Sequence, residues 1–154
     1  MSKEISLKQE EQVLAALAHG SILLGVFTNG IGGIAAALLI WLTQKEKSAY
    51  AAGQALQALI YQIATTVLTW LLWCCWGAVW MALLLPPLFA NPDAYQSAPP
   101  AGLWVGLALL VVPFGIMGLI MLYGLWGAAR CLGGHDFNYA IIGNWLESRE
   151  QKAL

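Results

Sequence analysis

The chain has 154 residues, of which 60% are hydrophobic and 10% charged, with eight Trp and a formal net charge of −1. That balance excludes both a water-soluble globular domain and a disordered segment, and it excludes nucleic acid as a partner because no basic patch exists to neutralise phosphates. Between Tyr50 and Ala129 the one formal charge is Asp93, so the chain reads as an all-α integral membrane protein, a four-helix transmembrane bundle.

Residues 1–12 form a polar N-terminus bearing Lys3, Glu4, Lys8, Glu10 and Glu11. No small-residue cleavage site follows it, so the first helix is expected to stay in the membrane. Residues 13–134 are expected to form the transmembrane domain and residues 135–154 an interfacial tail. Four apolar stretches mark the helices: Val13 to Thr28, Ile34 to Leu42, Leu59 to Leu85, and Leu103 to Ala129. The first two are short, about 24 Å and about 14 Å at the helical rise, and either tilt, thin the bilayer or form a re-entrant hairpin. The run Asn29-Gly30-Ile31-Gly32-Gly33 supplies the turn between them, because glycine reaches positive φ without steric cost and Asn tolerates it.

The third stretch begins in the most patterned part of the chain. Gln54, Gln57, Tyr61, Thr65 and Thr69 recur at spacings of three and four, which places them in one polar stripe on a helix. A dry interhelical hydrogen-bond seam and the lining of a hydrated path both fit such a stripe, and the seam is the preferred reading. His19 is an ionisable residue at membrane depth and hence a functional candidate. Hydrogen bonding to the Gln stripe accounts for it, and a haem or chlorophyll ligand is the other chemistry open to it; no cofactor is predicted.

Further along, Trp70, Trp73, Trp76 and Trp80 lie within an arc of roughly 120°, so one face of this helix is an indole stripe that faces core, lipid, a pigment or a partner subunit. Trp41, Trp104 and Trp126 lie near helix ends, where indoles anchor at headgroups. Pro86-Pro87 is expected to end the third helix, and Asn91-Pro92-Asp93 with Pro99-Pro100 to build the one long loop. On the fourth helix, Gly102 and Gly106 give GxxxG, Gly115, Gly118, Gly124 and Gly127 add small residues that permit close helix approach within or between chains, and Pro113 is expected to kink the rod. Cys74, Cys75 and Cys131 are read as small apolar core residues, and Cys131 with His135 and Asp136 falls short of a zinc site once Gly133-Gly134 ends the helix. The tail, with Phe137, Tyr139, Ile141, Ile142, Trp145 and Leu146, is expected to lie along the membrane interface.

All seven Lys and Arg residues fall in the N-terminal tail, the Lys45 to Lys47 loop and the segment from Arg130 onward. The positive-inside rule therefore predicts both termini in the cytoplasm of a multi-pass protein of the cell membrane.

Ala16-Leu17-Ala18-His19-Gly20, the Gly-rich turn, Leu39-Ile40-Trp41-Leu42 and Lys45-Glu46-Lys47-Ser48 follow the order of a bacterial family of small four-helix membrane proteins. Gln54-Ala55-Leu56-Gln57-Ala58-Leu59-Ile60-Tyr61-Gln62 resembles that family's His-Ala-x-Gln-Ala-Leu-x-Phe-Gln signature. By these fragments the chain resembles the Tic-twenty-like group, distant relatives of a chloroplast inner-envelope import component. Gln54 stands where the group has histidine, and Ala140 where it has proline. The resemblance covers most of the chain outside the Pro86 to Gly102 loop and implies a four-helix membrane fold and, more weakly, a translocation role. The functions expected are, first, a non-catalytic accessory or structural subunit of a membrane assembly, with other integral membrane subunits or a second copy as partners; next, a channel or translocation component; and third, a pigment- or cofactor-binding subunit.

Overall fold

A computed structural model describes the backbone of residues 2–90, 93 and 98–140, with side chains from residue 8 onward. The tail residues Ile141, Ile142, Trp145 and Leu146, the cations Arg149 and Lys152, and Asn91-Pro92 of the loop lie outside the described residues. The segments are α1 (Ser2–Gly20), α2 (Ile22–Phe27), α3 (Ile31–Gln44), α4 (Ala49–Ala90), α5 (Ala101–Leu109) and α6 (Val111–Leu132). Counted with α1 continuing into α2 and α5 into α6, these are four helices, two of them long and apolar enough to cross a membrane. Among the described residues there is no strand.

The chain divides into two compact units, Met1–Thr66 with Ile120–Leu154, and Val67–Leu119. In the first, α1 begins at Ser2 rather than after the polar dozen. It breaks at Ser21, whose Oγ donates to the carbonyls of Ala18 and Gly33 at 2.8 and 3.2 Å. A hydroxyl that bonds back to its own helix offers the backbone an alternative to the regular ladder. The turn after α2 is tighter than the five residues expected. Asn29 and Gly30 take positive φ of 52° and 93°, and Gly30 N donates to Gly25 O at 2.7 Å, the six-to-one closure of a Schellman motif. Gly32 and Gly33 therefore belong to α3, about 21 Å long at the helical rise, instead of to the turn. Gly32 N finds Thr28 Oγ1 at 2.8 Å, which satisfies a first-turn donor that has no partner within the helix.

Small residues let these rods approach. Ala18, Ala37, Ala55, Ala58 and Leu59 form one buried cluster joining α1, α3 and α4. Gly33 is buried so closely that a Cβ there would collide with Gln62 Oε1 and lie 2.9 Å from Ser21 O. A second cluster gathers Ala15, Ala16, Ile22, Tyr61, Cys131, Phe137 and Tyr139.

α4 runs 42 residues without interruption, about 63 Å or twice the hydrocarbon thickness. It starts ten residues before the expected stretch, at Ala49, and it does not stop at Pro86-Pro87 but continues to Ala90. Each proline removes one helical donor, yet the helical backbone continues through both. Leu83 O, four residues before Pro87, meets Gly102 so closely that a Cβ there would lie 2.6 Å away. Pro113 does more than kink the last rod. The helix is interrupted at Leu110, whose N–H turns back to Leu107 O at 3.2 Å, and the proline takes a place in the first turn of α6, where its missing donor costs nothing. At the other end Gly134, at φ 73°, closes a Schellman motif through His135 N to Arg130 O at 3.1 Å. The chain then leaves as a short extended strap.

Candidate functional site

His19 sits at the centre of the first unit, 1% exposed, with both ring nitrogens engaged. Nε2 lies 3.0 Å from Gln54 Oε1 and Nδ1 lies 3.0 Å from the Tyr139 hydroxyl. A carboxamide oxygen only accepts, so Nε2 carries the hydrogen, Nδ1 is bare in the neutral ring, and the phenol donates to it. Gln54 Oε1 also accepts the Cys131 thiol at 3.5 Å. These four side chains come from α1, α4, α6 and the strap.

Gln57 clamps the strap. Its Nε2 donates to Asn138 Oδ1 at 2.8 Å while its Oε1 accepts from Tyr139 N at 3.3 Å. Residues 137–140 alternate buried and exposed, the period of an extended segment, and Phe137 and Tyr139 fill the inward places at 7% and 2% exposure. Tyr139 stacks on Tyr61 with centroids 4.0 Å apart and planes 9° apart. Tyr123 meets both edge-on at 5.3 and 5.9 Å. Tyr61 in turn donates to Ile120 O at 2.8 Å. Burial pushes the Tyr139 phenol well above the usual phenol range, and the neighbouring Tyr61 and Tyr123 act in the same direction, so it stays a donor.

The polar stripe is thus divided. Gln54, Gln57 and Tyr61 are buried and hydrogen-bonded, whereas Thr65 is half-buried and bonds back to Tyr61 O at 2.8 Å. Thr69 is half-buried. Gln62, which the three-and-four spacing passes over, is 3% exposed and donates to Ala18 O and Ser21 Oγ at 3.1 and 3.0 Å. It sits four residues from Ala58 and eight from Gln54, on the alanine face, so its signal was a polar residue in an otherwise small-residue register. Tyr139, Phe137 and Asn138 were missed as site members because the expected interfacial tail placed them on the surface. Their signal is the Phe-x-Tyr alternation directly after two glycines.

In the second unit the indole stripe packs on α5 and the start of α6. Trp76 Nε1 donates to Gly106 O at 3.1 Å, a carbonyl that the break at Leu110 leaves without its helical donor. Trp80 lies over Gly106 so closely that a Cβ there would strike its indole, and Trp80 Nε1 is buried with no acceptor among the described residues. Trp73 meets Phe114 edge-to-face at 5.4 Å. Trp70 points outward at 57% exposure, as do Trp104 and Trp126 at 59% and 60%.

Two packing expectations are corrected. Of the glycines expected to permit close approach, Gly102, Gly106, Gly124 and Gly127 do so inside the chain, as does Gly33, whereas Gly115 and Gly118 meet nothing within 4 Å of a Cβ. Cys74 and Cys75 are exposed, and Cys131 alone of the three cysteines is buried; the first two lie on the helix away from the Trp73 and Trp76 contacts.

The model of the magnetosome magnetite crystal formation protein family, MamF/MmsF, matches residues 10–146. The chain belongs to that family. No curated protein and no solved structure matches it. Membership in the MamF/MmsF family overturns the Tic-twenty-like resemblance. The fragments behind that resemblance are short and mostly apolar, rich in the small residues that helix packing and tight turns demand in any small helical membrane protein. The MamF/MmsF match, in contrast, spans residues 10–146, a range that includes the Pro86 to Gly102 segment that the fragments left out.

Proposed function

We propose that this chain is a non-catalytic structural or accessory component of the membrane in which magnetite crystals form, and that it acts through packing against lipid and other membrane proteins. The observation that carries the reading is the family match over residues 10–146. Two helices long and apolar enough to span support the membrane placement. The exposed apolar side chains of α4 to α6, among them Trp70, Leu71, Phe114, Leu119 and Trp126, supply surface for acyl chains, for integral membrane subunits or for a second copy.

The channel reading loses the translocation role that the resemblance lent it. The glutamines at the head of its stripe are paired to His19, Asn138 and the strap, which favours a seam over a wet path. A pigment ligand at His19 would first have to break one of two hydrogen bonds. Deleting the gene in a magnetite-forming bacterium should alter the size, number or shape of the crystals seen by electron microscopy, and the wild-type chain should restore them. Unaltered crystals would remove the proposal.

The distribution of Lys and Arg supports a topology with both termini on the cytoplasmic side. In a variant lacking the three native cysteines, an impermeant thiol reagent should distinguish Ala98→Cys from Lys47→Cys. Equal labelling of the two from one side would refute the topology.

A further inference from the structure

Four phenols of the first unit have hydroxyl partners of different kinds. Tyr61 donates to the Ile120 carbonyl, Tyr50 to the His135 carbonyl, and Tyr123 accepts from Ala140 N. Tyr139 donates to an imidazole nitrogen, 3.0 Å away. Carbonyl and amide groups cannot take a proton at ordinary pH, whereas a neutral imidazole can, and 3.0 Å is within the reach of direct proton transfer. The receiving nitrogen is held ready because Gln54 fixes the hydrogen on the other one.

We propose that Tyr139 and His19 form a redox-active tyrosine–histidine pair that gives up one electron to a high-potential, outer-sphere one-electron oxidant. Oxidation breaks the Tyr139 O–H bond. The proton forms a new N–H bond at His19 Nδ1, the electron leaves through the ring cluster to the oxidant, and the products are a neutral tyrosyl radical and an imidazolium still bonded to Gln54. Reduction by one electron returns the proton to the phenol oxygen. The route outward is built from aromatic rings in contact: Tyr139 stacks on Tyr61 at 4.0 Å, and Tyr123, 39% exposed, touches both. Oxidising equivalents that reach Tyr123 or Tyr61 settle at Tyr139, since there the acidic oxidised phenol finds a base. At 2% exposure the radical is shielded from solvent and from encounter with other radicals.

This assignment is independent of the role in crystal formation, and it is tested on the full chain in detergent. Photogenerated tris-bipyridyl ruthenium(III) serves as the oxidant and electron paramagnetic resonance as the readout. A neutral tyrosyl signal is expected, with formation slowed in deuterated water because the proton moves with the electron. Tyr139→Phe, which keeps the ring stack, should abolish that signal. His19→Asn should slow its formation by about 100-fold, the usual contribution of a positioned base, and remove the isotope effect. The proposal falls if Tyr139→Phe leaves the signal unchanged, if the wild-type protein yields only tryptophanyl radicals, or if deuterated water has no effect on the wild-type rate. The isotope measurement needs no variant, so it decides the matter even where a substitution fails to fold.

Discussion

The two units solve the problem of holding apolar helices together in different ways. In the first, contact between helices is carried by buried polar side chains: His19, Gln54, Gln57, Gln62, Ser21 and Tyr139 bond across four elements. In the second, it is carried by indoles laid on glycine, with Trp76 bonded to Gly106 O and Trp80 covering the same residue. Lipid tails are as apolar as leucine, so burial alone gives helices little reason to prefer one another in a bilayer. What remains is close packing and interhelical hydrogen bonding; both units pack closely, and the first adds a buried network of polar side chains. The difference also assigns chemistry, because the buried imidazole and its phenol partner lie in the first unit.

The sharpest way to break this contrast is at Gly106. Gly106→Ala would set a Cβ 2.6 Å from Trp80 Cγ, and the indole cannot withdraw without losing its seat on α5. A loss of about 3 kcal/mol is expected, the upper range for overpacking, read as a lower thermal midpoint in detergent together with a change in Trp fluorescence. Gly77→Ala serves as the comparison, because a Cβ there meets nothing within 4 Å and alanine favours the helix by about 1 kcal/mol. If both variants unfold alike, glycine contact does not hold the second unit.

The matching test in the first unit is Gln57→Leu. It leaves Tyr139 N–H buried without its acceptor and removes the bond to Asn138. An unpaired buried donor costs about 2 kcal/mol. The loss should fall on the strap: protease cleavage after the Gly133-Gly134 hinge should quicken while the helices keep their circular dichroism. An unchanged cleavage rate would mean that Phe137 and Tyr139 hold the strap by burial alone.

Much of this arrangement was legible in residue order. The helical class, the turn at Asn29-Gly30, the end of α6 at Gly133-Gly134 and the pairing of His19 with a Gln of the stripe all follow from local chemistry, because each needs only a left-handed residue, a helical spacing or a polar group that must find a partner. What was not legible depends on distant neighbours. Pro86-Pro87 reads as a stop, but the helix runs through it to Ala90, and Leu83 O packs close to Gly102. Tyr139 reads as interfacial because its partners lie 120, 82 and 78 positions away, at His19, Gln57 and Tyr61. The family, too, was misread, since short apolar fragments carry little to distinguish one small membrane protein from another.

The smallest expected effect belongs to the glycines that looked most like a packing motif. Gly115 and Gly118 lie on the stretch of α6 between its Pro113 start and the Ile120 contact, and a Cβ at either meets open space. Within one chain, Gly115→Leu and Gly118→Leu should therefore change stability by no more than about 1 kcal/mol, and in the stabilising direction, because leucine is the better helix former. A clear loss of stability would sharpen the comparison in another way. It would show that this face meets a second helix from outside the chain, and the loss should then deepen with protein concentration, as it must for contact between copies. A concentration-independent loss would instead mean that α6 packs on its own chain here, and the division between a polar-bonded and an indole-packed unit would have to be redrawn.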